Sequence, residues 1–99
     1  MQRLSPVPPG EILEEEFLKG FGISAYRLAK DTGIPATRIS QILKGKRKIT
    51  VETALKLARY FGNTAEFWLG IQNDYDLRTE GQTLEQELSA IPRLVSPVG

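Results

Sequence analysis

Residues 24–44 read SAYRLAKDTGIPATRISQILK. Ser24 is a good helix cap, and the apolar positions after it recur at helical spacing. Gly33 can adopt the positive φ that a tight turn needs, and Ala29 is small enough for a second helix to approach closely. That second helix is expected over about residues 35–44. The spacing predicts a helix-turn-helix, although any compact helical hairpin would share part of this pattern.

The second helix of the pair has an outward face that is small, polar and free of acidic side chains. Its apolar residues, Ile39, Ile42 and Leu43, cluster on the opposite side. Gln41 can form a bidentate pair with adenine, and Arg38 can pair with guanine or contact a phosphate. Such a face is suited to the major groove of DNA. The alternative is an ordinary solvated surface. The residues predicted to contact bases or the groove are Thr37, Arg38 and Gln41.

Basic side chains follow this helix directly and lie where they could contact the DNA backbone. Ser24, with the free N–H groups at the start of the first helix of the pair, offers a second phosphate contact. For each of these residues, solvent exposure without any partner is the alternative. The predicted phosphate contacts are Ser24, Ser40, Lys44, Lys46, Arg47 and Lys48.

A net charge of +1 hides an uneven distribution along the chain. Residues 1–16 carry one basic and four acidic side chains, a net charge of −3. Residues 17–59 carry ten basic and two acidic side chains, a net charge of +8, and residues 60–99 have a net charge of −4. A basic block of this size is typical of a surface that binds a polyanion. The distribution indicates DNA for the centre and protein partners for the flanks.

The 99 residues, of which 40% are hydrophobic and 25% charged, indicate one small globular domain. Helical periodicity dominates and no useful run alternates with period two, so we expect an all-α, compact five-helix bundle. We expect an extended arm over residues 1–8, the helix-turn-helix domain over 9–78 and a tail over 79–99. The other three helices are expected from Pro9 to about Leu18, from the Thr50 cap to Gly62, and from the Thr64 cap to about Arg78. In the tail we expect Gly81 to break the chain and Leu84, Leu88 and Ile91 to mark a short helix.

The composition does not favour an enzyme or a metal-binding protein. Cysteine and histidine are absent, which removes thiolate nucleophiles, disulfides and the commonest metal ligand. The consecutive carboxylates at residues 14–16 splay around a helix instead of converging. We therefore expect no enzyme, no metal and no cofactor. We also expect neither a signal peptide nor a membrane span, and hence a cytoplasmic protein. A protein-binding adaptor without DNA remains an alternative.

The last of the five helices carries more apolar surface than a small bundle can cover. Such a surplus indicates a symmetric homodimer, which would place its two reading helices about 34 Å apart. Ordinary core packing is the alternative. The predicted dimer interface comprises Phe67, Trp68, Ile71 and Tyr75.

Several runs of the sequence form a larger pattern that covers about residues 8–78. The runs are Pro9-Gly10-Glu11-Ile12-Leu13, residues 24–43, Gly45-Lys46-Arg47, Ile49-Thr50, residues 54–58 and Glu66-Phe67-Trp68-Leu69, followed by Gln72, Tyr75, Asp76 and Leu77. Together these runs resemble the XRE family of helix-turn-helix regulators, and more narrowly the HigA (VapI-like) antitoxins. Pro8 departs from the family pattern, which often has histidine there, and Pro35 stands where a serine or threonine cap is usual.

The resemblance implies a lambda-repressor-like DNA-binding domain that dimerises on a palindromic operator and represses its own operon. It also implies a partner, a RelE-like ribonuclease toxin, that is inactive in the complex. A stand-alone regulator of the same fold, without a toxin, is the alternative. Carried over by position, Ala36, Thr37, Arg38 and Gln41 are the implied base or groove contacts, and Ser24, Lys44 and Lys46 the implied phosphate contacts.

Overall fold

The computed structural model describes residues 6–95, and within that range it contains six helices and no strand. The first helix, α1, covers residues 9–21 and widens in the middle into a π-helical segment, Leu13–Leu18. The predicted all-α class is confirmed. The remaining helices are α2 (Ala25–Thr32), α3 (Ala36–Leu43), α4 (Val51–Phe61), α5 (Ala65–Thr83) and α6 (Glu85–Ser89).

The predicted helix starts are confirmed by their capping hydrogen bonds. The side-chain oxygens of Ser24, Thr50 and Thr64 each accept a hydrogen bond from the backbone N–H three residues later. These bonds satisfy donors that a helix leaves free in its first turn. Pro35 makes no such bond, and α3 begins directly after it.

The hydrophobic core lies where α1, α2, α3, α4 and the first half of α5 meet. Trp68 is fully buried in it, and its Nε1 donates a hydrogen bond to Oδ1 of Asn63 over 2.9 Å. A side chain without exposed surface offers little to a second copy, so the burial of Trp68 favours core packing over its predicted place in a dimer interface. The other buried hydrophobic residues are Leu13, Leu18, Leu28, Ile34, Ile39, Ile42, Ile49, Ala54, Leu57 and Ala58.

Helix α5 runs on past the point where the sequence predicted its end. It continues without interruption to Thr83, so the expected end near Arg78 and the expected break at Gly81 are both wrong. A glycine inside a helix costs only about 1 kcal/mol relative to alanine, which the surrounding hydrogen bonds can offset. The short helix predicted around Leu84 and Leu88 is present as α6.

The second half of α5 and α6 extend the molecule beyond the core. The molecule measures 52 × 27 × 23 Å, and its radius of gyration is 17.0 Å. A compact domain of this length has a radius of gyration of about 13 Å. None of the helices in residues 6–95 has the length and apolar character needed to cross a lipid bilayer. Most of the predicted N-terminal arm, residues 1–5, and the end of the predicted tail, residues 96–99, lie outside the described residues.

Candidate nucleic-acid interface

Helices α2 and α3 form the predicted helix-turn-helix. Leu28 from α2 and Ile39 and Ile42 from α3 are buried against each other and the core. In the turn, Gly33 has a φ of +78°, and Oγ1 of Thr32 accepts a hydrogen bond from the N–H of Ile34. Because the apolar side of α3 is fixed in this way, its polar side faces solvent.

The exposed side of α3 brings together several of the predicted DNA contacts. Thr37 and Gln41 are exposed, as is Ala36 at the start of the helix, while Ser40 is half-buried. Oε1 of Gln41 accepts a hydrogen bond from Nη1 of Arg47 over 3.3 Å. The loop after α3 therefore folds back, so that a guanidinium lies beside the amide that could read a base.

Arg38 is held differently from the other residues of this face. Its side chain is 24% exposed, and its Nη1 lies 3.9 Å from Oε1 of Glu52 on α4. Its Nε is buried without a hydrogen-bond partner in the described part of the chain. The pKa of Glu52 is lowered, first by a hydrogen bond from Lys56 and then by the charges of Lys56 and Arg38. Arg38 thus lies at the junction of α3 and α4, and Gln41 is the more accessible of the two.

The basic loop after α3 divides into two parts. Lys44 and Lys46 are exposed and form no salt bridge within residues 6–95. Nζ of Lys48, in contrast, lies 3.2 Å from Oδ2 of Asp76 on α5. Lys48 therefore already has an acidic partner within the chain, unlike Lys44 and Lys46.

A buried glutamine fastens this loop to α5. Oε1 of Gln72 accepts a hydrogen bond from the backbone N–H of Ile49 over 2.9 Å, and its Nε2 donates to Oδ1 of Asp76 over 3.1 Å. From the sequence, Gln72 was only one residue of the family pattern. Its signal was a single polar residue one helical turn after Trp68, on the side of α5 that faces the core.

Gly10 lets α1 pack closely against the end of α3. It is buried, and a Cβ atom built on it would meet the carbonyl group of Ile42, with the carbonyl carbon 2.9 Å away, and Cα of Leu43 at 3.0 Å. Only a residue without a side chain lets α1 approach the end of α3 so closely. From the sequence, Gly10 was recognisable only as part of the family pattern.

The start of α2 presents a second polar edge. Ser24 is exposed, and its Oγ accepts a hydrogen bond from the N–H of Arg27, which leaves the hydroxyl proton free to bind an anion. Tyr26, in the same turn, is largely exposed, so an aromatic ring lies beside this edge.

The other end of α2 is tied to α4. The hydroxyl of Tyr60 donates a 2.6 Å hydrogen bond to Oδ2 of Asp31, and Nε of Arg27 lies 3.2 Å from the same oxygen. The hydrogen bond from Tyr60, more than the nearby cations, lowers the pKa of Asp31, and the same bond raises the pKa of Tyr60. These bonds orient α2 relative to the rest of the domain.

Known proteins are similar to this chain in both sequence and fold. The helix-turn-helix family matches residues 15–68. Antitoxin HigA-1 of Vibrio cholerae is 37% identical over 89 residues, which cover 90% of this chain and 84% of that protein. The structure of the Pseudomonas aeruginosa antitoxin HigA with the higBA promoter superposes with a TM-score of 0.86 at 35% identity, covering 91% of this chain and 99% of that one. The chain belongs to the HigA (VapI-like) antitoxins of the XRE helix-turn-helix family.

This family is not an enzyme class, in agreement with the sequence analysis. A VapI-type relative, virulence-associated protein I of Dichelobacter nodosus, is 45% identical over 86 residues, which cover 87% of this chain and 80% of that protein. The HigA resemblance seen in the sequence is therefore confirmed. The individual DNA-contact and interface residues stay predictions.

Proposed function

We propose that this chain is a sequence-specific DNA-binding antitoxin that represses its own toxin–antitoxin operon and neutralises a RelE-like ribonuclease toxin. The exposed, acid-free face of α3, with Lys44, Lys46 and Arg47 beside it, carries the DNA-binding part of this proposal. The P. aeruginosa HigA structure with the higBA promoter supports DNA as the partner. The antitoxin part rests on family membership.

In the proposed complex, α3 lies in the major groove of a palindromic operator. Gln41 reads a base edge, with Thr37 and Ala36 close to the groove floor and Arg38 at the flank. Ser24 and Ser40 contact phosphates, together with Lys44, Lys46 and Arg47. Lys48 is the weakest member of the predicted set, because Asp76 already pairs with it.

Operator binding by single variants tests this arrangement. We expect Gln41→Ala to lower the affinity for the operator roughly 5- to 150-fold, because a lost bidentate base contact is worth about 1–3 kcal/mol. Binding of Gln41→Ala to unrelated DNA should stay unchanged.

Lys46→Ala should weaken binding to the operator and to unrelated DNA alike. It should also reduce the slope of log affinity against log salt concentration by about one phosphate contact.

Fluorescence anisotropy with the DNA upstream of the chain's own operon, and with a scrambled duplex, measures these effects. Leu55→Ala, which truncates an exposed side chain on α4 outside the predicted DNA contacts, is the control. If Gln41→Ala leaves the ratio of operator to scrambled-DNA affinity at its wild-type value, α3 does not read the operator through Gln41.

A homodimer is the second part of the proposed architecture, and the exposed apolar residues indicate where it forms. Leu77 is 75% exposed near the end of α5, and it lines a groove with Leu84 and Leu88. Ile71 and Tyr75, from the predicted interface, instead line a groove with Pro6, Val7 and Ile12 of their own chain. We therefore propose that the C-terminal half of α5 and α6 contact the second copy, with Phe67, Ile71 and Tyr75 having at most a secondary part.

A charge introduced into this surface should dissociate the dimer. We expect Leu77→Glu to shift the mass at micromolar concentration from dimer to monomer, and to weaken operator binding at least tenfold because each half-site is then bound separately. Light scattering after size-exclusion chromatography measures the mass. The control is Leu55→Glu on α4, where the native side chain is 58% exposed. If Leu77→Glu is still dimeric, the dimer interface does not include Leu77.

A further inference from the structure

Four phenylalanines form an aromatic patch on the surface, composed of Phe17, Phe21, Phe61 and Phe67. The ring of Phe21 lies 5.4 Å from that of Phe61, and the ring of Phe17 lies 5.8 Å from that of Phe67. Phe21 is 61% exposed and Phe67 39% exposed. The patch belongs to α1, α4 and α5, and none of its residues is among the predicted DNA contacts.

The exposed rings are held in place by the chain itself. Phe21 packs against Phe17, with ring centroids 6.4 Å apart, as well as against Phe61. Phe17 in turn contacts the buried Trp68 at 4.6 Å. A partner that binds an aromatic ring already fixed in position loses little side-chain entropy, and fixed aromatic rings are typical of interface hot spots. The patch is thus built like a docking surface.

Acidic residues neighbour the patch along α1 and α5, and they form its rim. Glu14 and Glu16 lie within one helical turn of Phe17, and Glu66 directly precedes Phe67. None of the three forms a salt bridge in the part of the chain that the structure describes. Nζ of the nearby Lys19 lies 2.9 Å from Oε2 of Glu15, so this lysine pairs with an acid of its own helix. The rim is therefore negative, and it favours a partner whose contact surface is positively charged.

We propose that the aromatic patch is the surface that binds the toxin, a basic protein that inserts an apolar side chain between Phe21 and Phe67. This inference rests on the proposed antitoxin function. The same charges disfavour the other occupants. In a symmetric contact between two copies the acidic rims would face each other, and like charges repel. DNA would be repelled by the same rim.

The experiment compares toxin binding with operator binding in one pair of variants. Phe21→Ser removes the most exposed ring, and Leu55→Ser removes an apolar side chain of similar exposure on α4 as the control. The probe is the protein encoded next to this chain in its operon, titrated by biolayer interferometry. We expect Phe21→Ser to weaken toxin binding at least tenfold, with operator affinity and dimer mass unchanged, and Leu55→Ser to have no effect. Glu16→Lys should slow association with the toxin.

Three other outcomes would contradict the antitoxin function, the proposed toxin surface or the assignment of the patch to the toxin. If the wild-type chain binds no neighbouring protein, the antitoxin function fails, the stand-alone regulator replaces it, and the patch has no toxin to bind. If wild type and Phe21→Ser bind the toxin equally well, the function stands and the surface is wrong. If Phe21→Ser instead becomes monomeric, the patch is a contact between two copies and the toxin assignment is overturned.

Discussion

We expect Gly10→Ala to lower the free energy of unfolding by about 1–3 kcal/mol, the usual cost of forcing an extra carbon into a packed interior. The new Cβ would meet the carbonyl group of Ile42 and Cα of Leu43. Both are backbone atoms, so no side-chain rotation relieves the contact, and α1 and α3 must move apart. Chemical denaturation with urea measures the loss.

Gly20→Ala is a matched control within the same helix. Apart from the backbone of its own helix and its two chain neighbours, no atom lies within 4 Å of a Cβ built on Gly20, so the added methyl group meets open space. Because alanine favours a helix over glycine by about 1 kcal/mol, this variant should be as stable as the wild type or more stable. Equal stabilities of Gly10→Ala and Gly20→Ala would show that α1 does not press on the end of α3.

Gly10→Ala should also weaken DNA binding. Ile42 and Leu43 form the last turn of α3, directly before the exposed lysines. If the helix end is displaced, Lys44 and Lys46 move relative to Gln41, and the base and phosphate contacts can no longer be made together. We expect operator affinity of the folded variant to fall more than its affinity for scrambled DNA.

The helix-turn-helix could be predicted from the sequence because its signals are local. Capping residues, a glycine with positive φ and apolar residues at helical spacing all act within one or two turns of the chain. Ser24, Gly33 and Ile39 each report on their own neighbourhood, and the structure places them as expected. Family resemblance then narrowed the motif to a class of DNA-binding antitoxins.

The positions that sequence analysis missed depend on distant parts of the chain. Gln72 binds the N–H of Ile49, 23 residues earlier, and Gly10 is fixed by the backbone at Ile42. No local pattern encodes either contact. The same reason explains why Gly81 misled the prediction: its effect on the helix is small, and whether the helix continues depends on hydrogen bonds and packing around it.

Trp68 is the clearest case in which an apolar residue of α5 allows two structural interpretations, core packing or a dimer interface, and variants of this residue separate them. We expect Trp68→Ala to lower the free energy of unfolding by about 3–5 kcal/mol, the usual cost of truncating a large buried aromatic side chain. The fully buried indole contacts Phe17, Phe61 and Phe67, and the variant would also leave Oδ1 of Asn63 without its donor.

Such a loss could unfold the domain, so the test includes Trp68→Phe, which keeps an aromatic ring but removes the Nε1 donor. We expect an intermediate loss of stability in urea and an unchanged dimer dissociation constant in sedimentation equilibrium. Phe67→Ala, one residue away but exposed, is the control and should cost less stability. If Trp68 contributed to the dimer, Trp68→Phe would instead raise the dissociation constant while leaving the unfolding of the monomer nearly unchanged. The hydrogen bond to Asn63 and the absence of exposed surface favour the first result, because both place the contribution of the indole inside a single chain.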